Sequence, residues 1–286
     1  PEAVRGWMDM ASLDSLVTDS SSASSSWGSG SRIFNGWVNM LPDGTRLTPV
    51  MDLVRDKGWL TALVTTATVT HATPAGFAAS LRRRDDEHLI AEQYLNKVDV
   101  ILGGGRRFFA PESRRDGRDL LADFRRAGYA FVENRARMLA QAPSAKRLLG
   151  LFSGSHMPYT VDHRNSETAR ELVPTLAEMA ATALALLEKQ NRPFLIQIEG
   201  ARVDHAAHAN DAAGLLWDQI AFDEAIEAVL RFAESRPDTL VVITSDHGNS
   251  NPGLVGMGVE YRQSDACFER LAGIKASFST ISPRLA

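Results

Sequence analysis

Three short stretches hold the side chains best able to do chemistry, and each follows an apolar run. Residues 194–198 (Phe-Leu-Ile-Gln-Ile) lead into Glu199, Asp204, His205 and His208. Residues 239–244 (Thr-Leu-Val-Val-Ile-Thr) lead into Ser245, Asp246, His247 and Gly248. Residues 61–66 (Thr-Ala-Leu-Val-Thr-Thr) lead into Thr70, His71, Thr73 and Pro74. On a helical turn Asp204 and His208 share one face, within reach of a single ion. A carboxylate paired with an imidazole suits Zn²⁺. Taken alone, the Asp-x-x-x-His spacing reads as an exposed first helical turn whose acid is favoured by the dipole. Asp246 and His247 are adjacent, so both can face one ion only where the backbone is irregular, which Gly248 permits. Glu199 ends a buried run, where an unpaired carboxylate is costly, and so calls for a cation. Three loaded run-ends together are harder to explain as surface accident than any one of them.

A fourth stretch, residues 17–30 (Val-Thr-Asp-Ser-Ser-Ser-Ala-Ser-Ser-Ser-Trp-Gly-Ser-Gly), has the composition of a linker. A Trp inside it and an Asp-Ser pair at its head fit that reading poorly. Either the stretch is disordered, or one serine is held for chemistry.

The elements that must position these groups read as strands separated by helices. Residues 61–66, 98–102, 148–152, 194–198 and 239–244 are short apolar, β-branched runs, as in strands covered on both faces. Helical spacing covers 48–57, 119–127, 174–189 and 212–234, with Gly58, Gly128 and Pro193 as stop signals. Strand–helix alternation predicts an α/β fold with a mainly parallel sheet, whose reactive groups gather at the carboxyl ends of strands. Residues 82–87 (Arg-Arg-Arg-Asp-Asp-Glu) read as a solvated helix end. Gly103, Gly104 and Gly105, followed by Arg106 and Arg107, read as a loop. Beyond Asn251 the chain reads as irregular, with Gly253, Gly256 and Gly258 and a short amphipathic piece at 267–271.

Composition excludes several classes. The 286 residues are 44% hydrophobic and 23% charged, enough for a sizeable core. A net charge of −4 gives no global attraction to nucleic acid or anionic membrane. One cysteine, Cys267, excludes an internal disulfide framework. No apolar run is long enough to span a membrane. There is no Gly-x-Ser-x-Gly of an acyl hydrolase and no P-loop.

The combination resembles the alkaline phosphatase family, metal-dependent phosphomonoester hydrolases. The matching segments are Val17-Thr18-Asp19-Ser20 followed by Ala23, Trp27 and Gly30; Val64-Thr65-Thr66 through Thr70-His71-Ala72-Thr73-Pro74; Glu199-Gly200-Ala201 through Asp204 and His208; and Thr244-Ser245-Asp246-His247. They occur in the family's order. The resemblance implies one α/β catalytic domain over 1–286, a three-layer sandwich with a central, mostly parallel sheet between helices.

It implies that Ser20 is the nucleophile at the start of a helix, with small residues behind it leaving room for phosphate at the helix N-terminus. It implies two zinc ions and one magnesium ion. Asp246 and His247 would hold the zinc that activates Ser20. Asp204 and His208 would hold the zinc at the leaving oxygen. Glu199 and Thr73 would serve the third site. His71 matches a position near that third ion that is Asp in some members and His in others. Arg84 would clamp phosphate, and Arg82 and Arg83 are its close alternatives. His205 is expected to point away from Asp204, His88 and His163 to lie on the surface, and His156 to have no chemical role. The expected substrate is a small phosphomonoester. Family habit implies a periplasmic or extracellular location and a homodimer.

Two family ligands have no match: an Asp-Gly pair upstream of Ser20, and a His downstream of His247. Asp9 and Asp14 neither follow a buried strand nor precede glycine. The reading is therefore of a chain truncated at both ends. A phosphodiesterase or mutase of the same superfamily is the alternative, and a non-catalytic metal-binding relative a further one. A sulfatase is disfavoured, because no Cys/Ser-x-Pro-x-Arg segment surrounds Ser20.

Overall fold

A computed structural model describes residues 3–249, 251–253 and 264–284. In chain order the elements are α1 (Ser20–Ser29), α2 (Val50–Arg55), β1 (Leu60–Thr68), α3 (Ala72–Ala78), α4 (Glu87–Tyr94), β2 (Val100–Gly104), α5 (Leu120–Arg126), β3 (Tyr129–Val132), α6 (Arg135–Gln141) and β4 (Arg147–Leu151). There follow α7 (Thr160–Arg164), α8 (Glu167–Leu172), α9 (Leu176–Glu188), β5 (Phe194–Glu199), α10 (Arg202–His208), α11 (Ala212–Ala233), α12 (Ser264–Ala272) and α13 (Phe278–Ile281).

The five strands form one sheet in the order β3-β4-β2-β1-β5, and every ladder is parallel. Side chains alternate across a strand, and both faces here are covered. Leu63, Ile101 and Leu149 point into a core shared with Ile90, Tyr94, Leu120 and Phe124 of α4 and α5. Leu60, Ala62, Val64, Val100, Leu102 and Leu148 point into a second core with Met138, Met179, Ala183 and Leu187 of α6 and α9. That double burial is why these strands read as continuous apolar runs, and it produces the three layers expected.

The helix ends follow local chemistry. Thr175 and Glu178 form a capping box at α9. Asp119 caps α5 and Asp211 caps α11 through their side chains. Gly58 and Gly128, at φ of +83° and +88°, follow α2 and α5 in the left-handed conformation that other residues resist.

The serine-rich stretch is helix α1, not a linker. Ser20, Ser21, Ser22, Ser24 and Ser25 are buried in it. Their hydroxyls find acceptors: Ser22 Oγ donates to the Ile33 carbonyl (3.0 Å) and Ser24 Oγ to the Ala72 carbonyl (3.0 Å). Small side chains let α1 lie against α3, and a Cβ built on Gly28 would overlap the Gly76 carbonyl. Buried Asn39 ties the crossing, its Nδ2 donating to the carbonyls of Gly76 (2.6 Å) and Ala79 (2.8 Å). Gly28→Ala is expected to cost about 2–3 kcal/mol of stability, since the clash is with backbone that cannot rotate aside. Urea denaturation measures it, and a midpoint equal to the parent's would contradict this close crossing.

The sheet differs from the sequence expectation in three places. Residues 239–244 are not a strand: among the described residues none pairs with them, and Leu240 and Val242 are 87% and 73% exposed. Apolar, β-branched composition favours a strand only where a ladder partner exists. Conversely, β3 is too short and too mixed in burial to have stood out. Gly103 and Gly104 end β2 rather than forming a loop, with the turn beginning at Gly105. Around the amphipathic piece at 267–271 runs α12, whereas Gly256 and Gly258 lie outside the described residues.

Helix α7 is fastened to α11 through Asp218, which accepts from Thr160 N (3.1 Å) and Thr160 Oγ1 (2.9 Å). Burial pushes the Asp218 carboxyl up to about 6, against those two hydrogen bonds. A carboxyl pKa raised on folding means that the native state binds the proton more tightly. This group's contribution to stability therefore grows as pH falls from about 6 towards its ordinary value. Asp218→Asn is expected to stabilise the chain by about 1–2 kcal/mol at pH 7 and by nothing near pH 4. Denaturant midpoints of parent and variant at the two pH values check it, and an equal difference at both would contradict it.

Candidate functional site

The chain enters β2 and β5 on opposite sides of β1, and a crevice at such a reversal is where open α/β sheets bind ligands. Thr65 stands opposite Glu199 in the β1–β5 ladder. The segments leaving these two strand ends carry Thr70, His71 and Thr73 on one side and Asp204, His205 and His208 on the other.

Ser20 is the first residue of α1. Its Oγ lies 3.2 Å from His247 Nε2, a contact between opposite ends of the chain. Asp19 caps the helix, accepting from Ser22 N (2.8 Å), from Ser21 Oγ and from Gly36 N (2.9 Å). Burial works to raise the Asp19 pKa, but the hydrogen bonds from Ser22, Ser21 and Arg84 outweigh it and hold it below the ordinary value. Arg84 is half-buried. Its Nη1 pairs with Asp19 Oδ2 at 2.9 Å and its Nη2 approaches His71 Nε2 at 3.3 Å. Arg82 and Arg83 are exposed, and Arg82 lies over the Trp37 ring. Of the three arginines, Arg84 is the one held beside Ser20. The 82–87 run is thus not a solvated end throughout: Glu87 accepts from Thr68 Oγ1 (2.5 Å) and Thr70 Oγ1 (2.7 Å), and burial raises its pKa.

The expected ion ligands gather in two pairs. Asp204 and His208 share one face of α10, at 3.3 Å. Asp246 Oδ2 and His247 Nε2 are 3.4 Å apart. The two pairs adjoin, with the His208 and His247 rings 6.4 Å apart and Asn249 Nδ2 donating to Asp204 Oδ1 (2.7 Å). Glu199 is half-buried, accepts from Thr65 Oγ1 (2.6 Å) and is also bonded by Thr73. Burial first, and then the charges of Asp246 and Asp204, push its carboxyl up to about 7 against those hydrogen bonds. Asp204 and Asp246 thus place negative charge close enough to Glu199 to add to its charging cost. Among the described residues, no three His, Cys, Asp or Glu side chains close on a single point as a finished ion cage.

The remaining histidines depart from expectation. His205 does point away from the ion pairs, but it packs against His71 and His156. Its pKa is lowered to about 4 and that of His156 to about 3, by burial first and neighbouring positive groups second. Burial likewise lowers that of His71. His163 is half-buried, with Nε2 2.9 Å from the Val173 carbonyl, and His88 is also half-buried. Sequence reasoning missed Asp19, whose N-cap type before a nucleophile candidate was a usable signal, and Asn249, which closes the Asp246-His247-Gly248-Asn249 run. Asp9 pairs with Arg32, and Asp14 accepts from Asn35 N; neither reaches the ion pairs.

A family profile for alkaline phosphatases matches residues 3–267. The chain is 33% identical to alkaline phosphatase 3 of Bacillus subtilis over 250 residues, covering 85% of this chain and 52% of that protein. It is 34% identical to the streptomycin-6-phosphate phosphatase of Streptomyces griseus, covering 82% and 62%. The crystal structure of Thermus thermophilus alkaline phosphatase superimposes with a TM-score of 0.91 at 41% identity, covering 96% of this chain and 57% of that one. A variant of TAB5 alkaline phosphatase described with Mg in its M3 site superimposes at 0.76 and 28% identity, covering 84% and 67%. The chain belongs to the alkaline phosphatase family. It spans about half the length of the first of these curated relatives. No helix among the described residues is long and apolar enough to cross a membrane.

Proposed function

We propose that the chain hydrolyses phosphomonoesters through a phosphoserine intermediate on Ser20. The observation that carries this reading is the 3.2 Å approach of Ser20 Oγ to His247 Nε2 at a helix N-terminus flanked by Arg84. Backbone N–H groups at the start of α1 favour a phosphoryl oxygen. Arg84 offers a planar fork for the others, and Asp19 fixes the angle of that fork. Ser20 Oγ then bonds to phosphorus as the ester P–O bond breaks and the alcohol leaves. Water breaks the phosphoserine bond in a second displacement and regenerates Ser20.

The donor chemistry fits the ions expected of the family. Asp246 with His247, and Asp204 with His208, suit zinc; Glu199 and Thr73, all oxygen, suit magnesium, with His71 at the margin. Such ions supply positive charge that lowers the pKa of a serine hydroxyl and stabilises the oxygens entering and leaving phosphorus. Export to the periplasm or beyond and a homodimeric assembly complete the reading.

The test is hydrolysis of 4-nitrophenyl phosphate against bis-4-nitrophenyl phosphate. Preference for the monoester by several orders of magnitude is the expected result, and a preference for the diester would replace this reading with phosphodiester hydrolysis. In the same assay Arg84→Ala is expected to lower kcat/KM about ten- to hundredfold, the worth of a charge-assisted contact of about 1.5–3 kcal/mol. Arg82→Ala and Arg83→Ala should stay within about threefold. A larger loss at either would move the phosphate clamp away from Arg84.

A further inference from the structure

Arg164, the last residue of α7, lies over the Trp217 ring of α11, with its guanidinium carbon 3.4 Å from the ring centroid. At that distance the two planes are stacked, so the guanidinium N–H groups point sideways in their own plane. A cavity of about 190 Å³ opens beside the stack, walled by Arg164, Asn165, Trp217 and the link between α12 and α13. That link brings Ile274 and Lys275 into the wall. The link is pinned. Ser277, two residues beyond Lys275, is buried, and Asp162 of α7 accepts from its N–H (2.8 Å) and its Oγ (2.6 Å). The Phe278 N–H donates to Asp211 Oδ2 (2.7 Å). Lys275 is thus held against the end of α7 that carries Arg164.

Two cations on one cavity wall repel, and an anion between them removes that cost. Among the described residues no acid lines this cavity, and neither Arg164 nor Lys275 has an ion pair or a side-chain hydrogen bond. The acids around it are committed elsewhere: Asp162 to Ser277, Asp211 to Phe278 and Gly214, Asp218 to Thr160. Asp265 and Glu269 of α12 are exposed to solvent. Glu224 lines the neighbouring cleft and stands seven residues along α11 from Trp217, roughly 10 Å away by helical rise. The rest of the wall is apolar surface on Trp217 and Ile274. A dry cavity of about 150 Å³ holds a benzene-sized body, so this one has room for a single ring and its acid group.

We propose that this cavity binds a free small aromatic anion, a single ring bearing a sulfonate, carboxylate or phosphate group. The acid group lies between Arg164, which offers a planar fork, and Lys275, which offers a point charge. The ring lies against Trp217 and Ile274. No residue of this cavity takes part in the phosphoryl transfer proposed at Ser20, so the inference stands whether or not the chain turns over.

The test is ¹H–¹⁵N NMR on the chain labelled with ¹⁵N-tryptophan. Trp217 is one of five tryptophans, and the signal missing from Trp217→Phe protein assigns its indole. Sodium benzenesulfonate, added against sodium chloride at constant ionic strength, should shift that signal saturably and leave those of Trp27 and Trp59 in place. Sodium sulfate and benzyl alcohol each carry half of the required chemistry and should bind at least about tenfold more weakly. Lys275 is exposed, so its replacement spares the fold. Lys275→Ala should weaken benzenesulfonate about tenfold, and Lys275→Arg should stay within about threefold. Arg84→Ala should leave the affinity within about twofold. The absence of a saturable shift, sulfate or benzyl alcohol binding as tightly as benzenesulfonate, or an unchanged affinity in Lys275→Ala would each overturn the proposal. Loss of the response in Arg84→Ala would place the probe at Ser20 and overturn it as well.

Discussion

Ser20→Ala is expected to lower kcat for a phosphomonoester by at least about a thousandfold. A covalent route fails when its nucleophile is deleted, and no neighbour can stand in. The Ser21 hydroxyl is held by the Asp19 carboxylate, and the Ser22 hydroxyl by the Ile33 carbonyl on the far side of α1. Ser24 and Ser25 are fully buried. Inhibition by inorganic phosphate should change only severalfold, because Arg84 and the helix N-terminus remain. Ser21→Ala and Ser22→Ala should each keep activity within about tenfold. Steady-state kinetics with phosphate inhibition separates these outcomes. A Ser20→Ala protein retaining a tenth of parental turnover would remove Ser20 from the nucleophile's place.

Stripping divalent ions with a chelator is expected to abolish turnover to a similar degree, and zinc should restore it. Glu199, Asp204 and Asp246 lie close enough for the last two to raise the pKa of the first, which is itself half-buried. Glu199 carries a charging penalty that a bound cation would offset. Binding to the native state alone raises stability by about 2.7 kcal/mol at a free ion concentration one hundred times Kd. Zinc should therefore raise the melting temperature as well as kcat, and Asp246→Asn should blunt both responses. A chelated protein with unchanged Tm and unchanged rate would show that the acids serve some other purpose.

Much of the architecture was legible because local chemistry and burial agree. The five-strand sheet buries both faces of β1, so Leu63, Val64 and their neighbours form a run that no amphipathic surface strand would show. The stop signals Gly58 and Gly128 do close α2 and α5, in the left-handed conformation. Residues 239–244 misled for a physical reason: a strand needs a partner, and composition does not supply one. The serine run of α1 has a linker's composition, and only the resemblance placed Ser20 at a helix start, where it is found. Its helicity depends on a close crossing over Gly76, a long-range fact that propensity cannot register.

The site divides the same way. Asp204 with His208 was readable from helical spacing, and Arg84 could be placed near Ser20 but not separated from Arg82 and Arg83 until its salt bridge with Asp19 was seen. The meeting of His71, His156 and His205 left no local trace. Each contributes one ring from a different element, and only the return of β1, β4 and β5 to one sheet edge brings them together.

The most direct test of the account is to trap the intermediate. The chain, supplied with zinc and magnesium, is mixed with a ³²P-labelled phosphomonoester, quenched in acid within the first turnovers and digested for peptide mapping. The account predicts label on the peptide bearing Ser20, at Ser20 itself, and no label in Ser20→Ala protein. Label on His247, on another serine of α1, or turnover with no labelled protein at all would contradict it.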